Sequence, residues 1–198
     1  MYLFKTPKIF RILFPSLQWD NNENKVLLTF DDGPTPELTL YILDILKKYN
    51  VKAVFFCVGD NVKKYPLLYK RIIEDGHVVG NHTMNHLNVW KTDKLTYSKN
   101  IEEASLYIKS KLFRPPYGKL SIRSMRGIKL AGYKIMMWSV LTGDFDESLS
   151  KEKCLKKTIS AIKSNSILVF HDNIKAESKM KYVLEYLLKN QKQLNIKF

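Results

Sequence analysis

Short runs of apolar, often β-branched residues alternate along this 198-residue chain with longer stretches in which apolar residues recur every three or four positions. The short runs, at residues 26–30, 51–58, 77–80, 112–114, 133–140 and 167–170, read as strands. The longer stretches read as helices. They cover 38–49, Pro66 to near Gly76, a Thr92 cap through Ile108, 121–131, the region around 155–162, and 180–188. In the last of these, Met180, Val183, Leu184, Leu187 and Leu188 give the cleanest amphipathic pattern. A β-α order repeated about six times implies an α/β fold with a parallel sheet or barrel inside and helices outside. Strands that are apolar almost throughout fit a sheet covered on both faces. No repeat, low-complexity tract or Pro/Gly linker interrupts the pattern, so residues 1–198 read as one domain. Its core covers 25–190, and a basic extension covers 1–24.

Composition narrows the class. Hydrophobic residues make up 45% of the chain and charged residues 26%, which excludes a disordered, collagenous or disulfide-scaffold protein. Cys57 and Cys154 are too few for a disulfide framework and read as buried thiols. The 33 Lys and Arg against 19 Asp and Glu give a net charge of +14, a balance that favours polyanionic surfaces. The excess is mostly lysine, spread along the chain without an arginine-rich arm, and so reads as a solvated face with no nucleic-acid partner. Residues 1–19 mix Leu3, Phe4, Ile9, Phe10, Ile12, Leu13 and Phe14 with Lys5, Lys8 and Arg11. The longest apolar run there, Ile12-Leu13-Phe14, is too short for the h-region of a signal peptide. No stretch reaches the roughly 20 apolar residues that span a bilayer. The expectation is a cytoplasmic or membrane-peripheral protein, with the extension either packed on the domain or lying on a membrane surface.

In parallel β/α folds, sites gather at the C-terminal ends of strands. Asp31 and Asp32 follow the first strand, His82 and His86 the third, and Arg114, Tyr117 and Gly118 the fourth. Thr142 and Asp144 follow the fifth, and His171 and Asp172 the last. Two histidines plus a carboxylate from another strand end make a three-ligand set with an open position. That suits catalytic zinc, or the facial triad of a non-haem iron enzyme. Adjacent strand residues point to opposite faces. Asp31 and Asp32 both reach one site only if the strand ends there, and Gly33-Pro34 supplies the break. Asp32 is then the metal ligand, and Asp31 is free to take a proton from water that the metal acidifies. Arg114 suits bidentate carboxylate binding. The two prolines after it fix the backbone, so the N–H of Tyr117 is a candidate oxyanion donor.

Four segments taken together, Thr29-Phe30-Asp31-Asp32-Gly33-Pro34, His82-Thr83-Met84-Asn85-His86, Arg114-Pro115-Pro116-Tyr117-Gly118 and the strand ending at His171, resemble the polysaccharide deacetylases. This is carbohydrate esterase family four, with its nodulation-deacetylase homology domain. The resemblance spans residues 29–172. It implies a distorted (β/α) barrel of about six to eight parallel strands and a divalent metal, usually zinc, with cobalt or nickel as alternatives. It also implies Asp31 as base, Asp32, His82 and His86 as metal ligands, Arg114 as the group orienting the base, and His171 as general acid. The Tyr117 N–H would bind the oxyanion, and Asp144 would anchor Arg114. The sequence departs from the family at the fourth motif, where Leu141 replaces an Asp and Phe145 a Trp. This leaves the core chemistry in place and changes the sugar-stacking platform.

The function implied is hydrolysis of N-acetyl groups on an N-acetylated polysaccharide or oligosaccharide, whether chitin-oligosaccharide-like, peptidoglycan or another surface glycan. Two other readings belong to different classes: a catalytically weak glycan-binding module on the same fold, and a basic protein binding membrane surfaces or polyanions. Metal-dependent acetate release separates the three.

Overall fold

A computed structural model describes residues 3–198; the first two residues of the N-terminal extension lie outside the described part. In chain order the elements begin with α1 (Lys8–Leu13), β1 (Leu27–Asp31), α2 (Leu38–Lys48), β2 (Ala53–Cys57), α3 (Gly59–Lys64) and α4 (Pro66–Glu74). Next come β3 (Val78–Asn81), α5 (Lys94–Tyr107), β4 (Leu112–Phe113), a 3₁₀ turn (Pro116–Gly118) and α6 (Ile122–Leu130). The chain then forms β5 (Lys134–Ile135), β6 (Val140–Leu141), α7 (Lys151–Ala161), β7 (Ile167–His171) and α8 (Glu177–Lys189). The seven strands form one sheet in the order β5-β4-β3-β2-β1-β7-β6, with every pairing parallel.

This order forces the sheet to curl. The edge strands β5 and β6 are consecutive in the chain and separated only by residues 136–139. Such a link reaches about 17 Å when fully extended, whereas six spacings in a flat sheet would separate the edges by about 29 Å. The edges therefore approach, and the result is a barrel with one open seam. The N-terminal extension lines that seam. Gln18 bridges to Met136 in parallel, and Lys5 bridges to Val140 antiparallel. The Leu141 N–H donates to the Phe4 carbonyl at 2.9 Å, and the Thr6 hydroxyl donates to the Trp138 carbonyl at 2.8 Å. The packed reading of the extension holds for these segments, while Ile9, Ile12 and Leu13 of α1 remain exposed. Among the described residues, no helix is long and apolar enough to cross a membrane.

Most sequence-derived elements appear within a residue or two of their expected bounds. The continuous strand over 133–140 does not. It divides into β5 and β6, because residues 136–139 leave the ladder to cross the seam. Thr92 is not the cap of α5: Asp93 is, accepting from the Thr96 N–H at 3.0 Å, while Thr92 donates its hydroxyl to the Asn88 carbonyl. The helices α1 and α3, six residues each, are too short to carry a periodic signal. Both cysteines are free and buried, as expected.

The principal core lies between the sheet and the helices α2 and α8. Phe30, Phe55 and Phe170 stack across three adjacent strands at centroid distances of 5.1 and 5.6 Å. Met180, Val183, Leu184, Leu187 and Leu188 of α8 have no accessible surface. Burying each such side chain contributes about 1.5–3 kcal/mol. Truncating one also leaves a cavity, so Leu184→Ala is expected to lower unfolding free energy by about 2–5 kcal/mol, read from the urea midpoint at unchanged m-value.

Candidate active site

The C-terminal ends of β1, β3, β4, β6 and β7 open into one cleft of about 1010 Å³, lined by Asp31, Asp32, His82, His86, Tyr117 and His171 among others. The predicted convergence of strand ends is thus realised. Leu141, Phe145, Trp138, Phe10 and Trp19 supply much of the apolar wall.

Asp31 is the last residue of β1, and the chain turns sharply after it. Asp32 adopts φ +80°, and Gly33-Pro34 is a cis peptide. This left-handed turn is what lets two consecutive carboxylates face one cleft. It is held from outside: the Asn61 amide donates to the Asp32 carbonyl at 2.8 Å, and the Asn173 amide donates to Asp32 Oδ2 at 2.6 Å. Gly33 is required there, because a Cβ would lie 2.1 Å from Asp172 Oδ2. His86 and Tyr117 are also left-handed, at φ +55° and +61°. A non-glycine residue adopts such a conformation only where its surroundings impose it, and these positions cluster at functional sites.

Asp32, His82 and His86 each offer a ligand atom, all within 4.8 Å of one another. His82 Nδ1 lies 2.7 Å from the Arg114 carbonyl. That oxygen can only accept, so Nδ1 carries the proton and Nε2 presents a lone pair. Burial pushes the His82 imidazole down to about 4, keeping it neutral against the pull of Asp31. Its Nε2 stands 3.6 Å from Asp32 Oδ1, and His86 Nε2 stands 3.1 Å from the same oxygen. Asp32 Oδ1 is itself buried and receives no hydrogen bond. Burial works to raise the Asp32 carboxyl, but the imidazoles of His86, His171 and His82 hold it well below the usual carboxylate range. An ionised oxygen facing a lone pair, with no donor of its own, is an arrangement that a cation reconciles. These three residues therefore fit a divalent ion with nitrogen and oxygen ligands.

Asp31 is held by Arg114, whose Nη1 donates to Asp31 Oδ1 at 2.7 Å. Arg114 has no accessible surface. Its Nη1 also donates to Thr29 Oγ1, its Nε to the Met136 carbonyl and its Nη2 to the Met137 carbonyl. The guanidinium lies 4.1 Å from the Phe56 ring centroid, stacked as delocalised cations stack on aromatic faces.

Asp144 does not anchor Arg114, contrary to what the resemblance implied. Its Oδ1 accepts from His171 Nδ1 at 2.7 Å, and its Oδ2 accepts from the His171 backbone N–H at 2.8 Å. The reason is topological. Arg114 takes its partners from β1 and the seam segment, whereas Asp144 follows β6, the immediate neighbour of β7. Burial alone would lower the His171 imidazole. The Asp144 carboxylate outweighs it, with help from Asp32 and Asp31, and raises His171 to about 9. His171 is then protonated at neutral pH, with Nδ1 committed to Asp144. Phe145 packs edge-on against the His171 ring at 4.9 Å.

Tyr117 sits in the 3₁₀ turn after Pro115-Pro116. Its ring lies 4.6 Å from that of His86. The fourth histidine, His77, belongs to the core at the far end of the sheet, where its Nδ1 accepts from the Ala53 N–H. Asn173 and Asn61, which brace Asp32, were not singled out by the sequence. Only the proximity of Asn173 to His171 in the chain could have flagged either.

The family model described as polysaccharide deacetylase matches residues 19–136. A peptidoglycan-N-acetylglucosamine deacetylase of Bacillus cereus is 32% identical over 184 residues, covering 90% of this chain and 86% of that protein. A chitooligosaccharide deacetylase of Azorhizobium caulinodans is 29% identical over 158 residues, covering 76% and 75% respectively. Among solved structures, the Bc1960 peptidoglycan N-acetylglucosamine deacetylase superposes with a TM-score of 0.87 at 30% identity, over 98% of this chain and 94% of that one. The chain belongs to the polysaccharide deacetylase family.

Removing the Asp144 carboxylate tests the pairing. In metal-stripped Asp144→Ala, the His171 titration followed by NMR is expected to fall from about 9 towards the ordinary 6.5. The raised value means that the pair's contribution to stability is fully present below about pH 6.5 and fades as pH rises through about 9. The variant's stability should lose that dependence, while the Asp31–Arg114 contact stays intact.

Proposed function

We propose that this protein is a divalent-metal-dependent hydrolase that removes acetyl groups from N-acetylated sugars of an oligosaccharide or polysaccharide, with zinc as the simplest metal. The observation that carries the reading is the division of the cleft into three separately braced parts. Asp32, His82 and His86 offer the ligand atoms for a cation, Asp31 is held by Arg114, and His171 is held by Asp144. The named relatives act on peptidoglycan and chitooligosaccharides, and polysaccharide deacetylases in general depend on a divalent metal.

A bound ion would polarise the acetyl carbonyl and acidify water towards a pKa of about 7. The chain's own groups do the rest. Asp31 accepts the proton of the attacking water, and Arg114, donating to its Oδ1, holds it in place. The water oxygen bonds to the acetyl carbon, and the Tyr117 N–H receives the developing oxyanion. His171, with Nδ1 on Asp144, delivers its Nε2 proton to the amide nitrogen as the C–N bond breaks, releasing acetate and a free amine. A raised imidazole suits this role, because a general acid must still carry its proton at working pH.

Acetate release from a panel of acetylated glycans, with and without chelator, tests the activity. Asp31→Asn is expected to lower turnover by about 10²–10⁴-fold while retaining metal by elemental analysis. His82→Ala is expected to lose metal and activity together. Full turnover in metal-replete Asp31→Asn would exclude Asp31 as base. Metal loss in that variant would mean that Asp31 and Asp32 exchange roles. Activity should also fall on the alkaline side as His171 deprotonates, and Asp144→Ala should move that limb to lower pH.

A further inference from the structure

A shelf leads away from the metal-binding residues. The Tyr117 ring packs on His86, the Lys119 Nζ lies 5.9 Å from the Tyr117 ring centroid, and the same Nζ lies 4.7 Å from the Trp90 centroid. Tyr117 is 60% exposed and Trp90 is 66% exposed. Neither aromatic is placed there by floppiness. Tyr117 is fixed by its left-handed backbone and by His86. Trp90 stands on a tight turn in which Asn88 accepts from the Trp90 N–H through its side chain and from Lys91 N–H and Thr92 Oγ1 through its carbonyl. The Trp90 indole N–H is tied across to the Leu120 carbonyl at 3.3 Å, so the two loops that carry Trp90 and Lys119 are joined. Two large aromatic faces held rigid in water beside a catalytic cleft suit the apolar faces of sugar rings.

Lys119 gives the shelf a charge preference. Its ammonium is confined between two rings, and among the described residues no carboxylate lies within ion-pair distance of it. A hollow of about 110 Å³ is lined by Val89 and Thr92 on either side of Trp90 and by Ser121 beyond Lys119, together with Lys94 and Arg123. The cationic character therefore continues past the shelf.

We infer that Trp90 and Lys119 form a glycan subsite next to the reacting sugar, and that it selects a neighbouring sugar bearing a carboxylate over a neutral one. The inference rests on the proposed deacetylase reading and adds the substrate class. The ammonium donates a charge-assisted hydrogen bond to the sugar carboxylate, while the indole face covers the ring.

The test compares two tetrasaccharides of equal length. One is neutral, built from N-acetylglucosamine only. The other alternates N-acetylglucosamine with N-acetylmuramic acid, whose lactyl group is the carboxylate. Lys119→Gln is expected to raise KM for the second about tenfold, the loss of one charge-assisted hydrogen bond, with kcat unchanged. KM for the neutral tetramer should stay within about twofold, and Lys119→Arg should restore most of the difference. Trp90→Ala should raise KM for both. Raising salt should narrow the wild-type preference, because the site is at the rim. Equal effects of Lys119→Gln on the two substrates, or none on either, would overturn the subsite. If the wild type deacetylates neither substrate, the deacetylase reading fails. The subsite is then judged alone by calorimetric binding of the two tetramers to wild type and Lys119→Gln, where a carboxylate preference lost in the variant would uphold it and equal binding would sink it.

Discussion

Arg114 carries a full charge into an interior where it has no accessible surface, and the architecture around it compensates for that charge. Desolvating a guanidinium costs several kcal/mol unless nearly every donor finds an acceptor. Here Asp31, Thr29 and the carbonyls of Met136 and Met137 receive it, and Phe56 lies against its face. Those acceptors come from β1 and from the segment crossing the seam, so one side chain pins the curled sheet to its own gap. The same bonds orient the carboxylate proposed as base. Losing either partner leaves the other charge buried alone, which typically costs about 3–5 kcal/mol. Stability and catalytic geometry are thus coupled through a single residue.

The two groups proposed as base and acid are kept apart by this arrangement. Arg114 fixes Asp31 through a hydrogen bond to its Oδ1, while Asp144 raises His171 so that the imidazole is protonated at neutral pH. Had Asp144 served Arg114, His171 would lose the largest support for its charged form, leaving only Asp32 and Asp31 to oppose the effect of burial. The pairing of Asp144 with His171 follows from strand order, since β6 and β7 are neighbours and β4 lies on the other side of the sheet.

The N-terminal extension is part of the same construction. A parallel barrel that stops one strand short leaves two edges, and unpaired edges expose backbone groups. Residues 4–6 and 18 satisfy some of those groups from outside the β/α repeat. Because Phe10 and Trp19 also line the cleft, the segment that seals the seam shapes the substrate's apolar wall as well.

Much was determined by sequence alone. The alternation of apolar runs with helical periods specified a parallel α/β fold, because both signals are local and depend only on side-chain spacing. Motif order placed Asp31, Asp32, His82, His86, Arg114 and His171 on one rim, because a parallel strand has only one end where such residues can gather. Spacing along the chain could not say that residues 133–140 break into two strands, since that break arises where distant edges must meet. Nor could it assign Asp144 to His171. That choice depends on which strands are neighbours across the barrel, and a carboxylate written next to one motif can serve a group far away in sequence. The backbone conformations of Asp32, His86 and Tyr117 were equally silent, because residues that seldom adopt positive φ do so here only under the grip of partners such as Asn173 and Asn61. Tertiary packing decided these points because each is a contact between segments that are remote in the chain.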